Sequence, residues 1–245
     1  MKSRLLPILL LGLAACSAAA PSPTAEEFEP LSVLVSPSAG PMKPALFACA
    51  ALKGADSILI EEGFPSPGLG QADLVIQFGE PEEFPHFTAA LAAEGLAVAV
   101  HPDNPISTLT DRQMQGIFSG QIRGWGKLGG DKGSIQIWSL PPEDESSRIF
   151  SSDVMDGARI WPEALIAPTA EIMAAEIAKD PLAIGFLPLA WRFSGVKVFP
   201  LNQRYPILAL AEEEPQGTLR EFVACLQGSA GQSIMARLYS PWQLP

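Results

Sequence analysis

Between residues 31 and 238, short apolar runs alternate with stretches of helical period, and that alternation restricts the chain to an α/β fold. Residues 31–36 (L-S-V-L-V-S), 57–61, 73–77, 96–100, 134–139, 183–187, 196–199 and 207–210 read as strands. The run at 96–100 is apolar throughout, which suits a strand buried on both faces. Helical patterns at 42–53, 111–118, 146–155, 171–179, 218–227 and 229–238 separate these runs. Thr110 is placed to cap the helix at 111–118, with Asp111 in its first turn, and Thr169 stands near the start of the helix at 171–179. Most of the 24 prolines fall between elements, where they punctuate without breaking them. No internal repeat is visible.

The first thirty residues obey different rules. Lys2 and Arg4 precede an apolar run at 5–13, which closes on Leu13-Ala14-Ala15-Cys16. A basic start, a short apolar core and small residues at the cut mark a secretory leader at 1–15. The stretch is too short to span a bilayer, which takes about 20 apolar residues. Cys16 at the cut resembles the lipobox of bacterial lipoproteins, whose cysteine becomes the acylated first residue. An ordinary cleaved signal with an incidental cysteine is the alternative, and both readings send the chain out of the cytoplasm. Residues 16–30, with their Ala, Ser, Pro and Glu, cannot bury a core and read as a flexible tether. Removal of the first fifteen residues leaves 230, enough for one large domain or for two lobes, each with a core.

The formal net charge is −11, and loss of Lys2 and Arg4 with the leader makes the chain more acidic still. That charge disfavours nucleic acid and anionic lipid surfaces as partners. Cys49 and Cys225 each sit in a helical pattern beside alanine; an exported chain permits a disulfide between them, and two buried thiols fit as well. Catalytic chemistry is not in evidence. His86 and His101 belong to no H-E-x-x-H pattern, and no metal site is expected. There is no G-x-S-x-G elbow. The stretch at 120–127 resembles a phosphate loop, but its spacing is one residue too long and Leu128 stands where Ser or Thr is needed. The chain is read as a non-enzyme without a cofactor.

From Leu96 onward the text becomes specific. The string L-A-V-A-V-H-P-D-N-P at 96–105 leads through Thr110 to Gln113, Ile117-Phe118, Gly120, Ile122, Trp125 and Leu128-Gly129-Gly130. It resembles the phosphate-binding-protein family of periplasmic solute receptors, with its "L-x-x-x-Q-L-x-x-I-F-x-G-x-I-x-x-W-x-x-L-G-G". The stretch at 178–188 (A-K-D-P-L-A-I-G-F-L-P) is similar to the family's "V-x-x-x-P-G-A-I-G-Y", and residues 214–222 and 228–234 resemble its closing "F-x-x-F-x-x-S-x-x-G-Q". The resemblance implies a two-lobed type II periplasmic-binding-protein fold with a ligand cleft between the lobes. Lobe 1 would comprise 31–95 and 201–245, and lobe 2 residues 96–200. It also implies a monomeric, lipid-anchored receptor that delivers phosphate or another small oxyanion to an ABC importer, through a permease partner. A degenerate member acting as a sensor or interaction lipoprotein, without transport, is the alternative.

Trp125 and Phe118 are expected in the core, and Asp103 and Asn104 in the turn between two prolines. The ligand residues implied by the resemblance are Ser36 and Ser38 after the first strand, and Ser147 and Arg148 at the family's "S-G-T-R" turn. Ser38 could equally cap a helix, and Arg148 could pair with Glu143 or Asp144. Two departures weigh against phosphate. The family's Ser-Ser-Arg element after the third strand reads Gln77-Phe78-Gly79-Glu80 here, and Asp144 and Glu145 replace a glycine and a serine in the second turn. Carboxylates so placed repel an oxyanion, so phosphate binding is expected to be weak or absent.

Overall fold

A computed structural model describes residues 30–52, 58–65, 69–70, 72–191 and 193–242. The leader, Cys16 and the tether up to residue 29 lie outside the described residues. The first part comprises β1 (Leu31–Val35), a 3-10 turn (Pro37–Met42), α1 (Lys43–Leu52), β2 (Ile58–Glu62), β3 (Leu74–Phe78) and β4 (Phe87–Val100). The middle carries α2 (Asp111–Phe118), β5 (Gln136–Ser139), α3 (Glu145–Ile149), β6 (Leu165–Ile166), α4 (Ala170–Ile177) and β7 (Ala183–Pro188). The chain then returns through β8 (Lys197–Ala211) to α5 (Gly217–Gln227) and α6 (Ser229–Met235).

The strands lie in the order β2-β1-β3-β8-β4-β7-β5-β6. Each outer block is parallel: β1 pairs with β2 and β3, and β5 with β7 and β6. Between them β4 and β8 run antiparallel along their length, from Phe87 opposite Ala211 to Val100 opposite Lys197. β3 joins this ribbon at residues 207–210 of β8, whereas β7 joins it at residues 96–100 of β4. Each end of the ribbon thus belongs to a different block, giving two α/β lobes joined by two crossing strands.

The reading from sequence is corrected at this ribbon. Residue patterns there mark strands only at 96–100, 196–199 and 207–210, although the family resemblance implies crossing strands near 91–96 and 201–205; the structure has two continuous strands. The missing part of β4 holds the alanine-rich run Ala89-Ala90-Leu91-Ala92-Ala93, which lacks the β-branched residues that mark a strand. β4 begins with small residues and Glu94-Gly95, and the middle of β8 holds Asn202, Gln203 and Arg204 between Pro200 and Pro206. Local propensity there favours turns, and the distant partner overrides it. Register shifts at Ala90/Ala92 and Gly95/Ala97 accommodate the bend. The helix expected at 146–155 is likewise two elements, α3 followed by a π-helical turn (Phe150–Val154). The short exposed β6 is a strand that the sequence reading does not contain.

Caps and cores follow the sequence closely. Thr110 Oγ1 accepts the Gln113 amide at 3.3 Å while Gln113 Oε1 accepts the Thr110 amide at 2.8 Å, a reciprocal capping box. Phe150 stacks on Phe186 at 4.2 Å and meets Phe118 edge-on at 4.6 Å. Buried Trp125 donates from Nε1 to the Leu182 carbonyl at 3.0 Å. Asn104 Oδ1 accepts the Ile106 amide at 3.1 Å and so makes the turn between the prolines. Of the two states open to Cys49 and Cys225, the structure takes the disulfide, which ties α1 to α5 across 5.7 Å between Cα atoms.

Candidate functional site

The ends of β1 and β5 meet. β1 ends at Val35, opposite Ile76 of β3, and Ser36 then donates its amide to the Ile76 carbonyl at 2.9 Å before the 3-10 turn begins. Pro37 fixes the entry to that turn, which buries Ser38. From the other block, β5 leads through Pro141 and Pro142 to Asp144, which caps α3: its Oδ1 accepts the Ser146 amide at 2.8 Å. Ser38 Oγ reaches across and donates to the same Asp144 oxygen at 2.8 Å, and it lies 2.5 Å from Ser146 Oγ. An Asp144 carboxylate therefore accepts the amide and hydroxyl that an incoming anion would use.

Glu145, next in the chain, is 1% exposed, and neither carboxylate oxygen has a hydrogen-bond partner among the described residues. Burial and then the neighbouring Asp144 charge push its carboxyl up to about 8. Its own amide, Arg148 and Ser36 pull the other way, but none meets hydrogen-bond geometry. Asp144 is also raised by burial, against the opposing effect of the Ser38 hydroxyl and the α3 amides.

The structure brings Ser36, Ser38, Asp144, Glu145 and Arg148 together. Ser36 Oγ and Arg148 Nε are buried and unpartnered among the described residues, while an outer guanidinium nitrogen of Arg148 lies 3.7 Å from exposed Glu82. Arg148 is thus paired with neither Glu143 nor Asp144 within salt-bridge distance. Ser147 points elsewhere: its hydroxyl donates to the Leu140 carbonyl at 3.0 Å. Beside the cluster is a cavity of about 390 Å³, walled by Phe78, Tyr205, Pro206 and Trp242 and carrying Glu145 and Arg148. The altered loop after β3 contributes Glu80 to it, and buried Gln77 has an unpartnered Nε2. Among the described residues no group of three or more His, Cys, Asp and Glu could hold a metal ion.

Sequence reasoning takes Asp144 and Glu145 as obstacles to a ligand and misses their structural parts. Asp144, two residues before Ser146, carries a legible capping signal. Nothing local marks Glu145 as buried.

Known proteins share this architecture. A putative phosphate ABC transporter substrate-binding protein from Clostridium perfringens, solved with bound phosphate, superposes with a TM-score of 0.75 at 20% identity over 86% of this chain and 100% of that one. An ABC-type phosphate transport receptor from Vibrio cholerae gives 0.69, also at 20% identity, over 86% and 100%. The phosphate-binding protein PstS of Bacillus subtilis is 26% identical over 197 residues, which are 69% of this chain and 65% of that protein. The chain thus matches a little under two thirds of that relative's length. The family model described as a PBP superfamily domain matches residues 74–200, just over half of the chain. The chain belongs to the PBP superfamily, as a phosphate-binding-protein-like member.

Proposed function

We propose that this protein is an exported solute receptor of an ABC importer, anchored through Cys16 by a lipid and held off the membrane by residues 16–30. It works as a monomer, with lobe 1 at 31–95 and 201–245 and lobe 2 at 96–200. The observation that carries the reading is the cavity between the two blocks of the sheet, lined by Glu145 and Arg148, each with polar atoms unpartnered among the described residues. Ser36 and Arg148 act as ligand contacts, whereas Ser38 and Ser147 hold the turns in place. The names of the relatives make phosphate the first oxyanion to test, and the carboxylates argue that it binds weakly or not at all. A second reading, a binding fold kept for sensing, is favoured by one observation: Asp144 occupies the Ser38 and α3 donors itself.

No helix among the described residues is long and apolar enough to cross a membrane. Attachment therefore depends on the residues before them, and stable attachment takes more than one acyl chain. Cys16→Ser should release the protein into the soluble fraction; unchanged membrane retention would remove the anchor from the account. A thermal-shift panel of phosphate, sulfate, tungstate, amino acids and sugars tests the receptor reading. A ligand at 100 times its dissociation constant adds about 2.7 kcal/mol. The hit should also reduce the radius of gyration by hinge closure about the crossing strands. No stabilisation by any member of the panel would favour the sensor reading.

A further inference from the structure

We propose that the cleft takes a small zwitterion of α-amino-acid type, its ammonium against the Glu145 carboxylate and its carboxylate against the Arg148 guanidinium. The inference rests on the receptor reading above and gives it a ligand class.

Glu145 and Arg148 are three residues apart on α3, on one side of the helix. Both line the same cavity, yet they form no ion pair with each other within 4 Å. A buried carboxyl with two unpartnered oxygens stays neutral in the empty cleft and can ionise there only when a cationic donor arrives. An ammonium brings three donors, and a guanidinium offers paired N–H groups to a carboxylate. Phosphate alone would suit Arg148 and face two buried acids; a simple amine would suit Glu145 and leave Arg148 Nε stranded. One molecule with both charges satisfies both. Phe78, Tyr205 and Trp242 provide an apolar wall for its side chain. The helix amide and the Ser38 hydroxyl do not compete for the ligand, because Asp144 already accepts from both.

The charged groups around Glu145 are Asp144 and Arg148 on its own turn, Glu80 from the loop after β3, and Asp153 and Arg204 across the cavity. Since the Glu145 carboxyl titrates near 8 in the empty cleft, it is mostly protonated at pH 7. An ammonium requires the charged form, so binding expels about one proton at pH 7 and almost none at pH 9. Affinity for the zwitterion accordingly rises with pH up to about 8 and falls again once the ligand's own ammonium loses its proton. Phosphate gives the reverse trend, since charging Glu145 repels it.

The test is calorimetry with the intact, disulfide-bonded protein, after a thermal-shift screen of the twenty L-α-amino acids, ethylamine, acetate and inorganic phosphate. The inference expects at least one amino acid to bind, ethylamine and acetate to fail, and proton release at pH 7 measured in two buffers of different ionisation heat. Glu145→Gln and Arg148→Gln should each lower that affinity roughly tenfold to a hundredfold. The proton count on the unaltered protein stands even if a variant misfolds. Binding of phosphate in place of any amino acid, or of an amino acid without proton release, overturns the inference and leaves the receptor reading intact. Binding of nothing at all overturns both.

Discussion

Glu94 and Glu145 are the same side chain in two buried places, 2% and 1% exposed, with opposite surroundings. Glu94 sits in the crossing strand β4. One of its oxygens accepts the Gly95 amide at 2.6 Å and the other accepts the Ala190 amide at 3.1 Å, beyond β7. Burial raises its carboxyl to about 7, restrained by those amides and by Arg204. Glu145 lies at the cleft, and burial carries it further, to about 8, with Asp144 adding to the rise. A buried carboxylate satisfied by backbone amides holds two strands and a turn in register. One left without partners keeps its burial penalty uncompensated and its capacity to accept a hydrogen bond unused.

That contrast can be broken in several ways. The largest effect should come from reducing the Cys49–Cys225 disulfide, which costs roughly 2–5 kcal/mol. It joins α1 to α5 and involves neither glutamate, so Tm should drop equally at every pH. A drop confined to alkaline pH would mean that the glutamates and the disulfide are coupled. Next is Glu94→Ala, which strands the Gly95 and Ala190 amides and should cost about 2–3 kcal/mol in a denaturant titration. A cost below about 0.5 kcal/mol, the low end for a single hydrogen bond, would show that Glu94 does not hold the crossover.

Glu145→Gln should act with the opposite sign. A carboxyl raised in the folded state contributes stability that is fully present below its unfolded value of 4.5 and is lost as pH rises through its folded value. For Glu145 that window runs from about 4.5 to about 8, and for Glu94 from about 4.5 to about 7. Glu145→Gln should therefore leave stability nearly unchanged at pH 4, below the window, and raise it at pH 8.5, above the window. A loss of stability at pH 8.5 would assign Glu145 a structural partner. The smallest effect belongs to Asp144→Asn, which keeps the cap acceptor and removes the charge. The alkaline end of the stability decline should move to lower pH, read from Tm against pH; no movement would remove Asp144 from the causes of the Glu145 shift.

Much of the fold is legible in sequence because its signals are local. The Thr110 cap, the Phe118 and Trp125 core and the Asp103-Asn104 turn each announce themselves within a few residues. The β4–β8 ribbon is half hidden, since Glu94-Gly95 and the stretch from Pro200 to Pro206 read as turns until their partner is known. At the site, the candidate ligand residues Ser36, Ser38, Ser147 and Arg148 are expected by resemblance. The use of the Ser38 hydroxyl by Asp144 cannot be read in this way, because it spans residues more than a hundred positions apart. Nor can the isolation of Glu145, which no residue near it in the sequence marks.

On the proposed reading, the acids at the start of α3 set the cleft against phosphate. Calorimetric titration of inorganic phosphate into the disulfide-bonded protein at pH 8 tests that claim directly. The account predicts no measurable binding, or a Kd weaker than about 1 mM, corresponding to less than about 4 kcal/mol. Submicromolar binding that disappears in Arg148→Ala would contradict it.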